Sequence, residues 1–194
     1  MMVNRINITL WVLLLLSGIS CDGDYIPKPR GYFRIDFPEK KYVSYDSICP
    51  FKFSYPVYAE IKNSDDSYTE PCSFNIEFPV FRAKVYMTYK TGKEHIPGYI
   101  EDSHKFVYKH TIKADAINEK LYIDTIKKMY GVLYEIKGNA ASSVQFFMTD
   151  SVNHFLRGSL YFDAIPNKDS LLPVIRFLQE DIVQIIETLE WKNN

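Results

Sequence analysis

Apolar and polar residues alternate with period two over much of the chain's middle. In Ser73–Phe78 the side chains of Phe74, Ile76 and Phe78 fall on one face. In Ala83–Tyr89 the set Ala83, Val85, Met87 and Tyr89 opposes Lys84, Tyr86 and Thr88. Both read as half-buried strands. Cys49–Pro56 has the same pattern and is stopped by Pro56, and Tyr32–Phe37 alternates more weakly, as a short edge strand does. Asn63–Thr69 is polar and reads as a loop. From Ile96 the period changes. Ile96, Tyr99, Ile100, Phe106 and Val107 follow helical spacing, and Pro97 suits a first turn, so the spacing predicts a helix over 97–111. Residues 114–127 are mixed, part strand and part loop. Met129–Ile136 is strand-like, with a turn at Gly138-Asn139. Val144–Met148 and His154–Phe162 read as a hairpin joined near Asp150–Asn153. Leu171, Ile175, Leu178, Ile182, Ile185 and Leu189 step by 4, 3, 4, 3 and 4, which is an amphipathic helix. Ser170 or Asp169 is its expected cap, with Pro173 inside the tolerated first turn.

Strands, a central helix, more strands and a long C-terminal helix imply an α+β fold, an antiparallel sheet with helices segregated from it. The "FKFSYP" opening, the central helix and the "IIETLEW" ending also resemble the PsbP-like α/β/α sandwich.

The N-terminus follows a different logic. One charge, Arg5, precedes an unbroken apolar run from Leu10 to Leu16, then Ser17, Gly18 and Ser20, then Cys21. That order is a secretory signal peptide, and seven apolar residues are far short of the about 20 a membrane-spanning helix needs. Cys21 stands where lipoprotein processing places its modified cysteine. Gly18 departs from the usual aliphatic residue three positions upstream. The expected organisation is a signal peptide at 1–20, a lipid-bearing Cys21 with a short Pro-containing tether to residue 30, and one α+β domain over 31–194.

Removing residues 1–20 takes away Arg5 and no acid, so the net charge moves from -1 to -2. A near-neutral surface argues against nucleic acid as a partner. With 15 Tyr and 13 Phe the chain is aromatic-rich, which favours sheet. Of three cysteines, Cys49 and Cys72 remain once Cys21 is lipidated. In an oxidising envelope they are expected to pair as a disulfide, the alternative being two buried thiols. No histidine stands at zinc-ligand spacing beside them.

Several segments together resemble one family: "PKPRGYFRIDFPEKKY" at 27–42, "KHTIKADAI" at 109–117, "YGVLYEIKGNAASSVQFFMTDS" at 130–151 and "HFLRGSLYF" at 154–162. With the lipoprotein signal and the terminal helix, they are similar to the gliding-motility lipoproteins of Bacteroidota called GldD. The resemblance covers nearly the whole mature chain and implies a role in surface gliding, in an apparatus linked to type IX secretion. It supplies no catalytic residues.

The candidate chemistry is sparse. His95, His104, His110 and His154 show neither HxH nor HExxH spacing, and no nucleophile elbow, P-loop or GxGxxG is present. His110 continues the stripe at 99, 103 and 107 and reads as a half-buried helix residue. No cofactor, metal or catalytic residue is expected. The segment Arg30-Gly31-Tyr32-Phe33-Arg34 combines two arginines with two aromatics just past the tether. Such residues are enriched at binding hot spots, so Arg30, Tyr32, Phe33 and Arg34 are candidates for partner binding. The competing reading is that the rings pack on the domain while the arginines cover it. The expected function is a lipid-anchored, non-enzymatic accessory component that binds other envelope proteins, on the outer membrane with its domain in the periplasm. The alternative is a ligand-binding periplasmic lipoprotein.

Overall fold

The structure is a computed structural model and describes residues 34–63, 70–165 and 167–192. It contains β1 (Tyr42–Asp46), β2 (Phe51–Pro56), β3 (Glu60–Asn63), β4 (Phe74–Phe78), β5 (Ala83–Thr91), α1 (Ile96–Tyr108), β6 (Ala114–Asp124), β7 (Met129–Gly138), β8 (Ser142–Thr149), β9 (His154–Phe162), α2 (Lys168–Thr188) and β10 (Glu190–Trp191). Two antiparallel sheets result, a small one ordered β1-β2-β10 and a seven-stranded one ordered β3-β4-β5-β9-β8-β7-β6. The fold is α+β, as the pattern implies.

The large sheet carries a core on each face. On one face Phe74, Ile76, Val85, Met87, Phe146 and Leu160 meet α2 through Leu178, Ile182 and Ile185, and the small sheet through Phe51 and Phe53. On the other, α1 brings Ile96 and Val107 against Val132, Tyr134, Phe147 and Phe155. Strand β8 is covered from both sides and is buried along its whole length. Close packing there needs a glycine: Gly158 faces Phe146 across the β8–β9 pair, and a Cβ at 158 would lie 2.2 Å from the Phe146 ring.

The strongly periodic segments form the elements expected of them. Phe74, Ile76 and Phe78 share one buried face, and β8 and β9 form a hairpin around Asp150. That turn is held by the Asp150 carboxylate, whose Oδ1 accepts from the amides of Val152, Asn153 and His154 at 2.9, 2.8 and 2.8 Å. The central helix ends at Tyr108, and a 3-10 turn over Lys109–Ile112 continues it. The mixed stretch 114–127 is an eleven-residue strand, β6, followed by a turn.

Other expectations need correction. Of the strand expected over Tyr32–Phe37, the described part, 34–37, is irregular. Phe37 instead stacks on Phe177 of α2 at 4.4 Å between centroids. The cap of α2 is neither Ser170 nor Asp169. It is Asn167, in extended conformation, whose side chain accepts from the Ser170 amide at 3.3 Å. The helix therefore starts earlier, and Pro173 falls past the first turn, where its missing N–H interrupts the helical ladder.

Cys49 and Cys72 form a disulfide with a Cα–Cα distance of 5.6 Å. It joins the segment entering β2 of the small sheet to the segment entering β4 of the large one. The expected loop over Asn63–Thr69 lies, past Asn63, outside the described residues.

Candidate functional site

The most distinctive sequence segment enters the described structure at Arg34. Its guanidinium Nε donates to Asp36 Oδ1 at 3.1 Å, with the Arg34 side chain 90% exposed. Cys21, Arg30, Tyr32 and Phe33 lie outside the described residues. Six positions past Arg34 the chain is tied to α2 by polar contacts. Lys40 Nζ donates to Asp181 Oδ1 at 2.7 Å and to the Phe177 carbonyl at 2.6 Å, and lies over the Phe177 ring. Tyr42 donates to Asp181 Oδ1 at 3.0 Å and Tyr58 to Oδ2 at 2.6 Å. Asp181 is 0% exposed, so a carboxylate out of contact with water is satisfied by one ammonium and two phenols. Burial, and then the Asp181 carboxylate, push both tyrosines well above the ordinary phenol range. They remain protonated donors, which suits a clamp and not acid–base chemistry.

A second assembly occupies the part of the α1-bearing face of the large sheet that α1 leaves uncovered. Period-two strands bring Lys84, Tyr86 and Thr88 of β5 beside Arg157, Ser159 and Tyr161 of β9, lining an open recess of about 720 Å³. Tyr86 and Tyr161 meet edge to face at 5.5 Å between centroids. Arg157 Nη2 donates to Gln145 Oε1 at 2.8 Å, and the Phe106 ring of α1 lies 4.6 Å from the guanidinium carbon. Among the described residues no carboxylate lies within 4.0 Å of Arg157, whereas Arg82 pairs with Asp163 and Lys84 with Glu77. Burial pulls the Arg157 guanidinium below its ordinary value. His110 is likewise held down, by burial and then by the Arg157 charge.

The histidines are dispersed. His104 meets the Tyr134 hydroxyl through Nδ1 at 2.9 Å, and His154 Nδ1 meets the Tyr89 hydroxyl at 2.7 Å while its ring stacks on Trp191. Among the described residues no three metal-binding side chains converge. None of the helices among them is long and apolar enough to cross a membrane.

A family model described as "Gliding motility lipoprotein GldD" matches residues 22–191 of the 194. The chain belongs to the GldD family of gliding-motility lipoproteins. Membership places this GldD-family protein in the cell envelope, anchored to a membrane through lipid. A solved structure, the solution structure of cyanobacterial PsbP (CyanoP) from Synechocystis sp. PCC 6803, is similar at 10% identity and a TM-score of 0.47. The similarity covers 79% of this chain and 94% of that one. No curated protein matches the GldD-family chain.

Sequence reasoning passed over Asp181 and Arg157. Each leaves a signal. Asp181 is an acid set between Leu178 and Ile182 in the apolar stripe of the last helix, and Arg157 is a cation in the middle of a mostly apolar strand. A charge inside a core-facing pattern marks either a satisfied network or a site. Asp181 is the first kind.

Proposed function

We propose that this GldD-family protein is a non-enzymatic, lipid-anchored accessory component of the gliding apparatus, linked to type IX secretion, that works by binding other envelope proteins. Cys21 carries the lipid in this reading, and the domain stands in the periplasm against the outer membrane. The observation that carries it is the free edge of the large sheet. Strand β6 pairs only with β7 among the described residues and runs for eleven residues. Leu121 and Ile123, on the same face of it, are each 67% exposed. A long edge strand with exposed aliphatic side chains invites strand addition or face-to-face docking by another chain.

The test is a Leu121→Lys, Ile123→Lys double variant of the full lipoprotein, cross-linked in whole cells, extracted in detergent and compared with the wild type by mass spectrometry. Exposed substitutions of this kind cost about 0.5 kcal/mol or less in stability. The expected result is therefore normal abundance and melting, with cross-linked envelope partners lost and gliding impaired. A variant that recovers the same proteins and glides normally removes β6 as the docking edge. In parallel, Cys21→Ser is expected to release the protein from membranes, since none of the described helices is long and apolar enough to cross one.

A further inference from the structure

We propose that the recess beside α1 is a binding site for a small ring-bearing carboxylate, with Arg157 holding the carboxylate and Tyr86 the ring. The site is remote from the β6 edge, so it goes beyond the docking reading and does not depend on it.

Hydrogen-bonding supply and demand carry the proposal. A guanidinium has five N–H donors and no acceptor. Arg157 spends one of its nitrogens on the neutral Gln145 amide and stacks against Phe106, and among the described residues no carboxylate neutralises it. Arg157 is half-buried, and partly burying a cation without a counter-ion is unfavourable. The same place holds a second deficit. Gln145 is 1% exposed, and its Nε2 has no hydrogen-bond partner, while its Oε1 already accepts from Arg157 and Ser159. Gln145 is not part of the recess lining, so the surplus donors that a ligand can reach are those of Arg157. The other cations of the wall are already paired, Arg82 with Asp163 and Lys84 with Glu77, so the uncompensated positive charge is centred on Arg157.

A ligand that restores the balance brings oxygens and one negative charge. A planar carboxylate matches the arginine fork in bidentate geometry. The rest of the recess specifies the body of that ligand. Tyr86 is 44% exposed and is braced edge-on by Tyr161, which offers a flat ring surface next to the cation. Ring stacking on such a surface suits an aromatic ring or the apolar face of a sugar. A volume of about 720 Å³ accommodates one ring with substituents.

The experiment is isothermal titration calorimetry on the full-length protein in detergent micelles, with sodium benzoate, sodium glucuronate and the neutral analogues benzamide and glucose. At least one carboxylate is expected to bind, and about tenfold or more tightly than its neutral analogue. Binding of benzoate alone assigns an aromatic acid, binding of glucuronate alone a sugar acid, and binding of both a general ring carboxylate. Arg157→Gln is expected to reduce affinity about tenfold or more, and Tyr86→Ala severalfold with unchanged melting. If Arg157→Gln does not fold, Tyr86→Ala and the neutral analogues still decide. Absence of heat from both carboxylates overturns the proposal. So does equal binding of charged and neutral probes, or affinity unchanged in the folded Arg157→Gln variant.

Discussion

The Lys40 ammonium sits 2.7 Å from Asp181 Oδ1, joining positions 141 residues apart. The carboxylate is wholly buried, while the lysine reaches it from a surface strap that leads in from the N-terminal segment. Phe37 on Phe177 and Tyr42 on Asp181 make further contacts along the same strap. The strap is thus held by α2, an element at the centre of one core.

Breaking this pair is expected to be costly. Asp181→Asn keeps the shape but leaves Lys40 facing a neutral amide, and Asp181→Ala leaves the ammonium and two phenols without their acceptor. The expected losses are about 2 kcal/mol for Asn and roughly 3–5 kcal/mol for Ala, read from urea unfolding of the purified protein. An alanine variant as stable as wild type would show that the clamp is ornamental.

Asp150 gives a pH dependence of known sign. Burial raises its pKa, but the amides of His154, Val152 and Asn153, with the His154 ring, together outweigh burial and hold it below the ordinary carboxylate value. A pKa lower in the folded than in the unfolded state means stability that is fully present above the unfolded value of about 3.9. It is lost as pH falls below that value and through the folded one. Asp150→Ala is expected to cost about 1–2 kcal/mol near neutral pH. The gap to wild type should close on acidification below about pH 4. Paired melting curves across pH measure it, and a gap that stays constant would assign the loss to packing instead.

What the sequence discloses depends on how each element is solvated. Strands β4 and β5 and helix α2 bury one face and leave the other wet, so alternation or a helical stripe is written into their residues. Strand β6 has neither face well buried, and Asn118, Glu119 and Lys120 break its period, which is why it reads as part loop. Strands β1, β3 and β10 leave no clear pattern. Strands β1 and β3 are short edges, and β10 is two residues long, defined by pairing with β2 and not by its own composition. The 34–37 segment alternates, yet Phe37 finds Phe177 and the backbone stays out of both sheets. The site residues follow the same rule. Arg157 and Asp181 become meaningful only when distant partners arrive, Gln145 and Phe106 for one and Lys40 and Tyr58 for the other.

The disulfide links two sheets that also meet through side chains and through the short connection from β2 to β3. Closing a loop between residues 23 positions apart contributes about 3 kcal/mol in the chain-entropy account. For a domain of this size, reduction or a Cys49→Ser, Cys72→Ser double variant should lower the melting midpoint by roughly 5–10 °C. Calorimetry with and without dithiothreitol tests this. A midpoint unchanged on complete reduction, verified by thiol counting, would put all of the joining energy in the aromatic core of Phe51, Phe53 and Phe74.

The Arg30–Arg34 segment separates docking from packing most sharply. Its described member, Arg34, pairs with the similarly exposed Asp36, and an exposed pair of this kind adds little to stability. Among the described residues the anchoring contacts begin with Ile35, packed against the main core, and continue at Phe37 and Lys40. Arg30→Ala with Arg34→Ala is therefore expected to leave melting within about 0.5 kcal/mol of wild type. If the segment docks a partner, the same variant loses that partner in cross-linking and fails to support gliding at matched abundance, since an interfacial arginine is often worth about 2 kcal/mol or more. If the segment packs on its own domain, melting falls and motility falls only as protein level does. Lys40→Ala serves as the calibrating control, because it breaks the clamp and must show the second pattern. A stable, abundant double variant that glides like wild type removes Arg30 and Arg34 from the docking surface and leaves the β6 edge to carry it.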